Sequence, residues 1–531
     1  MYSMKKETKI IIFALLAIFW VTSSIQAQEV NTKRYITLTV KEGASITFNI
    51  LADSGGSYIK IVSGNNEQII TAGNTFYTVR NDHTTRASIM TIYGNVRGLV
   101  CSNNAENITG LDASHNAELA ELFCGNNKLT ALDISSNIKL EKLYCFGNLI
   151  PSIDISRNTE LTELDCSDNQ IVALDVSKNT KLTKLLCANN KLAALDARSN
   201  TKLEQLYCFG NLIPSIDVSS NTELTELDCS NNQIVALDIS KNTKLTKLLC
   251  ANNKLVALDA SNNTKLEQLY CFGNSLPQLD LKTNTYLSSL YCNENSLTSL
   301  DMSKNARLTF VNCRKNKLTL LDVTHNAELM GLIGDNNSIS SLDVSKSLHL
   351  TSLFCSENSL ASLDISKNTQ LKYLVCHGNN LSTVVLDDIY CALPDRKGKF
   401  SGVIRPSLNA SSSENTKVIA TNGSNATSKN WKVQYYESDT DITGFTGTHQ
   451  CGGGTDIDNT KNNPSLIIYP NPVKDILHIS SDKPMHSIRI YNMYGTEVLQ
   501  TVDTNCINVS HLPTGIYMVH ADNKIVRIIK E

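Results

Sequence analysis

A cysteine recurs every 21 residues through the middle of this 531-residue chain. The spacing holds without a break from Cys124 to Cys313, and it resumes at Cys355 after Gly334 has occupied one cysteine place. The regularly spaced cysteines are Cys124, Cys145, Cys166, Cys187, Cys208, Cys229, Cys250, Cys271, Cys292, Cys313, Cys355 and Cys376. A fixed period of this length is typical of a solenoid, in which each repeat packs only against its neighbours.

Each repeat unit follows the pattern L-x-x-L-x-C-x-x-N-x-L-x-x-L-D-x-S-x-N-x-x. Alternation along an extended strand places Leu185 and Cys187 on the inner side of one such unit. The same alternation predicts that Lys184, Leu186 and Ala188 point outward. The Asn three residues after each cysteine has an amide that can bond the turn backbone of its own unit and of the neighbouring unit. We therefore predict one strand of a parallel sheet per unit.

The unit resembles the leucine-rich-repeat family, with cysteine in the place of the third leucine. The resemblance covers residues 96–381, and the combination of 21-residue units with a cysteine row is similar to the internalin J type. It implies a mainly β fold, a leucine-rich-repeat solenoid with a parallel sheet. It also implies a binding function, because repeat surfaces of this kind present long faces to macromolecular partners.

Three roles compete for the cysteine row. Zinc needs about four ligands that converge on one point, usually supplied by close cysteine pairs, and a single row has no such pairs. Neighbouring strands lie about 4.8 Å apart, which is close enough for a disulfide, but side chains on adjacent parallel strands point the same way. We therefore predict free, buried thiols that act as small hydrophobic side chains, and no metal or other cofactor.

An aspartate also recurs once per unit, from Asp133 through Asp154 and Asp175 to Asp364. The D-x-S-x-N spacing offers alternate oxygen ligands, which raises the hypothesis of calcium binding. The units have no glycine at the sharp turn and no closing glutamate. We therefore predict a structural role, in which the carboxylate bonds backbone N–H groups in a turn.

Aromatic residues occupy many of the outward places on the predicted strands. We predict that they form a ligand-binding surface on the concave face of the sheet, because amphipathic rings are favoured at interfaces. The candidate residues are Tyr144, Phe146, Tyr207, Phe209, Tyr270, Phe272, Tyr291, Phe310, Phe354 and Tyr373. The alternative is that the rings only pack on one another across strands, since Leu161–Asn211 and Leu224–Asn274 are identical at 46 of 51 positions.

The rest of the sequence limits the function classes. The chain has no H-E-x-x-H, G-x-S-x-G or phosphate-binding glycine-rich motif, so we do not expect an enzyme. Its formal net charge is −3, which provides no excess of basic charge for nucleic acid.

Composition divides the ends of the chain into further segments. Residues 1–27 begin with basic residues, continue with an apolar run and end with a small residue, as in a cleaved signal peptide. We expect no transmembrane helix after cleavage. Residues 28–95 alternate like strands and are placed to form an N-terminal cap. Residues 382–445 are the predicted closing cap, and residues 446–463 a linker. Cys391 and Cys451 lie outside the row, and their pairing is left open.

The last segment, residues 464–531, contains Tyr469-Pro-Asn-Pro-Val473, then Leu512-Pro-Thr-Gly-Ile-Tyr517, then the basic strand Lys524–Lys530. These motifs in this order resemble the C-terminal sorting domain of type IX secretion, a small β-sandwich. The resemblance implies that the type IX secretion machinery is a partner and that the protein is extracellular, either on the outer-membrane surface or released.

Together these features predict a cell-surface or secreted binding protein. The leading hypothesis is adhesion through the concave face, with a protein or glycan on a host or neighbouring cell as the partner. The alternative is a structural protein that self-associates in a biofilm or surface layer without a specific host ligand. Adhesion predicts that replacing the aromatic residues of the concave face abolishes partner binding, whereas self-association predicts concentration-dependent oligomers of the purified repeat segment.

Overall fold

The computed structural model describes residues 29–75, 81–451, 466–469, 473–481, 487–492, 496–502, 506–521 and 524–530. The predicted signal peptide, residues 1–27, lies outside these ranges, as does most of the predicted linker, residues 446–463. The chain separates into two compact units, Met1–Cys451 and Gly452–Glu531. Each unit is described by itself. Among the described residues, no helix is long and apolar enough to span a bilayer.

The N-terminal region of the first unit is a β structure. Its strands are β1 (Tyr35–Val40), β2 (Ser45–Ala52), β3 (Ser57–Ser63), β4 (Asn66–Ala72), β5 (Asn81–Thr84), β6 (Ile89–Tyr93), β7 (Val96–Val100) and β8 (Ile108–Asp112), with a 3-10 turn at Ala105–Asn107. Strands β4, β3, β6, β1 and β8 form an antiparallel sheet in that order. Strand β2 pairs instead with β7, which is the first strand of the solenoid. This pairing covers the edge that the first repeat would otherwise expose.

Thirteen three-residue strands follow, one per repeat. They are β9 (Glu121–Phe123), β10 (Lys142–Tyr144), β11 (Glu163–Asp165), β12 (Lys184–Leu186), β13 (Gln205–Tyr207), β14 (Glu226–Asp228), β15 (Lys247–Leu249), β16 (Gln268–Tyr270), β17 (Ser289–Tyr291), β18 (Phe310–Asn312), β19 (Gly331–Ile333), β20 (Ser352–Phe354) and β21 (Tyr373–Val375). Each pairs in parallel with the next, without a register shift. The predicted parallel solenoid is confirmed.

The solenoid core is a column of aliphatic and sulfur side chains. The middle residue of each strand and the cysteine that follows it are fully buried, as at Leu143 with Cys145 and at Leu269 with Cys271. A cysteine fits here because consecutive turns stack at about 4.8 Å, and a small apolar side chain fills the space without crowding the next turn. The period of two along each strand therefore determines which side chains enter the core.

Two columns of asparagine side chains satisfy the turns. Asn148 donates from its side-chain amide to the carbonyl oxygens of Cys145 and Cys124, and its Oδ1 accepts from the N–H of Leu129. A second column, buried on the opposite side of each unit, includes Asn158, which donates to the carbonyl oxygens of Ile134 and Asn137. Both columns join each turn to its predecessor, so the predicted role of the first is confirmed.

The sheet continues into the C-terminal cap. The cap contains α1 (Thr383–Ala392), β22 (Gly402–Ser407), α2 (Asn415–Ile419), α3 (Ser424–Thr427) and β23 (Trp431–Tyr435). Strand β22 pairs in parallel with β21 and with β23. Trp431 is buried and donates from Nε1 to the carbonyl oxygen of Pro394 at 2.8 Å. Cys391 in α1 forms a disulfide with Cys451, which decides the pairing that the sequence left open.

The second unit is a separate β structure. Its strands are β24 (Leu466–Tyr469), β25 (Ile476–Ser481), β26 (Ile488–Asn492), β27 (Glu497–Thr501), β28 (Cys506–Asn508), β29 (Gly515–Ala521) and β30 (Lys524–Lys530). They form a three-stranded sheet, β24-β25-β28, and a four-stranded sheet, β27-β26-β29-β30. A core that includes Leu477, Ile490 and Val519 is buried between these strands, as the sorting-domain resemblance implies.

Candidate functional site on the outer side of the parallel sheet

The side of the parallel sheet that faces away from the core is the surface predicted above as the concave face. We call it the sheet face. It consists of the residues three before, one before and one after each cysteine, such as Lys142, Tyr144 and Phe146 around Cys145. The first two of these residues are half-buried in most repeats, whereas the leucine between them is fully buried. The structure thus places all ten candidate aromatic residues on one continuous surface.

Two tyrosines of the sheet face bond glutamates on the next strand. The hydroxyl of Tyr144 donates to the carboxylate of Glu163, and the hydroxyl of Tyr207 donates to that of Glu226. Burial and the neighbouring carboxylate raise the pKa of both phenols above their ordinary value of 10.0. Although burial raises the pKa of Glu163, the hydrogen bonds from Tyr144 and Lys142 hold it below its usual value. These contacts fix the ring positions.

The charges on the sheet face largely pair with one another. The ammonium group of Lys142 lies 3.2 Å from the carboxylate of Glu163, and that of Lys247 lies 3.7 Å from Glu226. Burial raises the pKa of Asp165, although its carboxylate accepts a hydrogen bond from the N–H of Ser167. The surface therefore presents alternating charge with little net field.

Several candidate rings also pack on one another. The rings of Phe123 and Tyr144 are stacked with centroids 4.7 Å apart. Tyr270 and Tyr291 are 4.4 Å apart, and Tyr291 stacks on Phe310 at 5.1 Å. Cross-strand packing, which the sequence offered as the alternative to ligand contact, therefore does occur. It holds the rings in place and leaves them partly exposed.

The position directly after the cysteine is more enclosed than the sequence predicted. Ala188, predicted to point outward to solvent, is buried, because this position adjoins the turn that carries the asparagine column. Phe146 fits there because Gly125 precedes it by one repeat. A Cβ on Gly125 would lie 2.6 to 2.8 Å from three atoms of the Phe146 ring. The ring therefore lies against the backbone of the preceding turn, and Phe209 and Phe272 are likewise half-buried.

The last turns of the sheet face contain one residue that sequence reasoning missed. Phe354 is half-buried and Tyr373 is exposed. His377, directly after the last cysteine, is buried, with its ring centroid 4.5 Å from that of Tyr436. Its Nε2 lies 3.7 Å from the carboxylate of Glu357, and burial lowers its pKa. No sequence pattern indicated this cluster, because Tyr436 comes from the closing cap.

The cysteine column has the chemistry of a core and not of a reactive site. All thirteen cysteines from Cys101 to Cys376 are buried and outside any disulfide, as predicted. Burial raises the pKa of thiols such as Cys145 and Cys271 to about 12, so they carry no thiolate at neutral pH. Among the described residues, no group of three or more His, Cys, Asp or Glu side chains could hold a metal ion.

The aspartate row performs the predicted turn chemistry. The Oδ1 atom of Asp133 accepts a hydrogen bond of 2.9 Å from the N–H of Ser135, and Asp154 and Asp175 repeat the contact with Ser156 and Ser177. These hydrogen bonds lower the pKa of the carboxyl groups. The carboxylates close the turns of the solenoid.

Comparisons with known proteins agree with this geometry. The functional domain of InlJ from Listeria monocytogenes, which includes a cysteine ladder, is 26% identical over 85% of this chain and 94% of that domain, with a TM-score of 0.53. A leucine-rich-repeat protein of Leptospira interrogans is 21% identical over 52% of this chain and 83% of its own, with a TM-score of 0.46. No curated protein sequence matches the chain. Residues 467–531 match the secretion system C-terminal sorting domain.

The chain has a leucine-rich-repeat fold that is similar to that of InlJ. The cysteine ladder of InlJ and the column from Cys124 to Cys376 are the decisive common feature. The sorting domain indicates a secreted or surface protein, in agreement with the localisation predicted from the three C-terminal motifs.

The solenoid has a second exposed surface, which the sequence analysis did not single out. Six residues after successive cysteines, apolar side chains form what we call the lateral stripe: Pro151, Val172, Ala193, Pro214, Val235, Val256 and Pro277. Val172, Val235 and Val256 are 57%, 53% and 63% exposed. A cavity of about 470 Å³ lies at one end of the stripe, lined by residues that include Val256, Asp259 and Pro277.

Proposed function

We propose that this protein is an adhesin, which binds a macromolecule on a host or neighbouring cell surface through the sheet face. The observation that carries the proposal is the row of Tyr–Phe pairs, Tyr144 with Phe146, Tyr207 with Phe209 and Tyr270 with Phe272. The tyrosine rings are held by hydrogen bonds or ring contacts, and the phenylalanine rings are half-buried, so little side-chain entropy is lost when a partner orders them. Such rigid, partly exposed aromatic residues are the side chains that most often dominate binding energy.

The remaining candidate residues extend this surface toward the closing cap. Tyr291, Phe310, Phe354 and Tyr373 add partly exposed rings on the following repeats. Fourteen turns at about 4.8 Å give a face roughly 65 Å long, which suits a macromolecule better than a small ligand. In this proposal the signal peptide and the sorting domain serve export and display. The caps cover the ends of the solenoid and the linker joins it to the sorting domain, all with the boundaries predicted from the sequence.

The test replaces Tyr207, Phe209, Tyr270 and Phe272 together with Ala and measures capture by cell surfaces of the purified 28–451 segment, which ends at the cap disulfide. We expect capture to fall by at least about tenfold, because each lost aromatic anchor contributes about 1 kcal/mol or more. A matched control replaces four exposed aliphatic residues, Val172, Leu212, Val235 and Val256, with Ala. Unchanged capture by the aromatic variant, or equal loss in both variants, would show that the sheet face is not the binding surface.

A second candidate function is self-association in a surface layer, and the lateral stripe favours it. An exposed apolar stripe on a soluble domain commonly marks a protein contact. Sedimentation of the purified 28–451 segment over a range of concentrations measures this directly. Self-association predicts oligomers that are lost in the lateral control variant and retained in the aromatic variant. A monomer at all concentrations would reject this function.

A further inference from the structure

The central part of the solenoid contains two nearly identical blocks. Residues 140–202 and residues 203–265 agree at 55 of 63 positions when aligned end to end. Each block comprises three turns, and each strand of the first block has its counterpart three strands later. The two blocks pair in parallel without a register shift. The second block is therefore a translated copy of the first, displaced by roughly 14 Å at about 4.8 Å per turn.

The residues of the sheet face repeat with the same displacement. Within each block it reads Tyr and Phe on the first turn, Asp and Ser on the second, and Leu and Ala on the third. Tyr144, Asp165 and Leu186 are thus repeated as Tyr207, Asp228 and Leu249. A third Tyr–Phe pair, at Tyr270 and Phe272, begins the next turn. The two blocks differ on the sheet face at one position, where Gln205 stands in the place of Lys142. Gln205 contacts the glutamate of the next strand, as Lys142 does, so a ligand that fits one block also fits the other.

A partner that uses both blocks must itself repeat along its length. Folded protein surfaces seldom repeat by translation over roughly 14 Å, whereas an extended linear polymer does. The aromatic rings suit a sugar chain, because the C–H faces of pyranose rings pack on aromatic rings. The half-buried carboxylates of Asp165 and Asp228 can accept hydrogen bonds from sugar hydroxyl groups.

Charge restricts the polymer further. Within the two blocks the sheet-face positions hold three lysines, Lys142, Lys184 and Lys247, and four carboxylates, Glu163, Asp165, Glu226 and Asp228. Two of the lysines already lie within 4 Å of a glutamate. The face therefore has no free cationic row for sulfate, phosphate or uronate groups, and its slight negative balance repels a polyanion.

We propose that the sheet face binds an uncharged linear polysaccharide, which lies along the solenoid and occupies the two blocks as equivalent subsites. This inference rests on the proposed function and specifies the chemical class of its partner. Since the subsites are equivalent and adjacent, a chain that spans both gains affinity through effective concentration. A fragment that occupies only one block does not gain affinity in this way.

The experiment deletes one block and compares ligands of graded length. Removing residues 203–265 from the whole protein joins Lys202 to Leu266, which reproduces the Lys265–Leu266 junction and preserves the repeat register. The control removes residues 329–349, one whole repeat that contains none of the candidate aromatic residues, and leaves both blocks intact. The probes are length series of uncharged β-1,4-linked glucose, mannose and xylose oligomers, with sulfated and uronic-acid polymers for contrast.

We expect affinity to rise with oligomer length in the wild type and in the control variant. In the block-deleted variant the longest oligomers should bind at least about tenfold more weakly than in the wild type, while the shortest should bind within about twofold, the statistical factor for losing one of two sites. Equal effects of the two deletions would overturn the two-subsite inference. Tighter binding of the anionic polymers, or binding of none of the uncharged series, would also overturn it.

A parallel measurement separates this inference from the proposed function. Cell surfaces are treated with periodate, which cleaves vicinal diols of sugars, or with protease, before capture of the whole protein. Loss of capture after periodate supports a glycan. Capture that survives periodate and is abolished by protease retains the adhesin but overturns the glycan inference. Absence of capture by untreated cells rejects the proposed function itself.

Discussion

The side-chain amide of Asn148 donates a hydrogen bond of 3.1 Å to the carbonyl oxygen of Cys124, one full turn earlier in the chain. The contact recurs along the solenoid, as from Asn169 to Cys145 and from Asn211 to Cys187. Each turn thereby satisfies backbone groups that its neighbour cannot satisfy alone. The column of sulfur side chains and the column of amides consequently depend on the same register.

The buried thiols give the first prediction. In the native protein, iodoacetamide should modify Cys506, the exposed thiol, and leave the thirteen buried ladder cysteines unmodified at pH 8. Burial raises the pKa of ladder thiols such as Cys187 to about 12, so almost no thiolate is present. Mass spectrometry before and after denaturation without reductant measures this. Ladder cysteines that remain blocked after denaturation would show that disulfides form within the row.

The interruption at Gly334 gives the second prediction. A Cβ at this position would lie 3.5 Å from Leu321 and 3.7 Å from Ile339, which are ordinary contacts. Gly334→Ala should therefore raise the free energy of unfolding by about 0.5–1 kcal/mol, since the unfolded chain loses freedom and a gap is filled. Denaturant unfolding of the 28–451 segment measures it. Gly147→Ala is the contrasting variant and should destabilise, because Gly147 has a positive φ and an added Cβ would clash with Oδ1 of Asn126.

The second asparagine column is interrupted once, at Ser347. Its hydroxyl donates only to the carbonyl oxygen of Asn326, at 3.3 Å, whereas the next residue of the column, Asn368, donates to two carbonyl oxygens. Ser347→Asn should add one buried hydrogen bond, but it should also bury an amide oxygen that has no partner, as in Asn326 and Asn368. The two effects oppose each other, so the free energy of unfolding should change by less than about 1 kcal/mol. Asn284→Ala, in contrast, should cost about 1–3 kcal/mol, because two carbonyl oxygens lose their donor. A loss for Ser347→Asn as large as that for Asn284→Ala would show that this turn has no room for the amide.

The aspartate turns predict a loss of stability in acid. Hydrogen bonds from the side chain and backbone of Arg198 lower the pKa of Asp196 from 3.8 to about 2, and those from Ser135 lower that of Asp133. A carboxyl group whose pKa is lowered by folding stabilises the folded protein at pH values above its ordinary pKa. This contribution is lost as the pH falls toward the pKa of the folded state. The melting temperature should therefore decrease between pH 4 and about pH 2. Changing Asp133, Asp154 and Asp175 to Asn keeps the turn acceptor and should flatten this dependence; an unchanged slope would contradict the assignment.

The disulfide predicts a local effect of reduction on the closing cap. Cys391 and Cys451 are 60 residues apart in sequence, and a bridge across such a segment stabilises by about 2–4 kcal/mol. Cys451→Ser should lower the stability of the cap by that amount while strands β9 to β18 keep their amide protection. Hydrogen exchange resolves the two regions. Cys506→Ser, outside the solenoid, is the control and should leave the cap unchanged.

The period of the chain made most of the solenoid predictable. One strand per unit, the inward cysteine and the bonding of Asn148 to two turns all follow from a pattern repeated with little variation. The sequence could not show that Ala188 is enclosed, because the enclosure comes from stacking of neighbouring turns. Nor could it locate His377 against Tyr436 or pair Cys391 with Cys451. Those contacts belong to the cap, where no repeat supplies a register.

The contacts of the tyrosines were only partly predictable from the sequence. Tyr144 and Glu163 are separated by 19 residues, two fewer than the period, so they lie diagonally on adjacent strands. This offset could have been read from the repeat once the strand places were assigned. No sequence pattern predicted how far the rings pack against one another, as Tyr291 does on Phe310, because this packing depends on side-chain rotamers.

The junction between the two 63-residue blocks has a consequence for the length of the protein. Lys202–Leu203 and Lys265–Leu266 are the same pair of residues at equivalent places, so a gain or loss of one whole block leaves every amide column, every thiol and every strand in register. The caps at either end would meet the same neighbours as before. Chains of this design can therefore vary in reach by steps of roughly 14 Å while the register and the contacts of both caps stay the same.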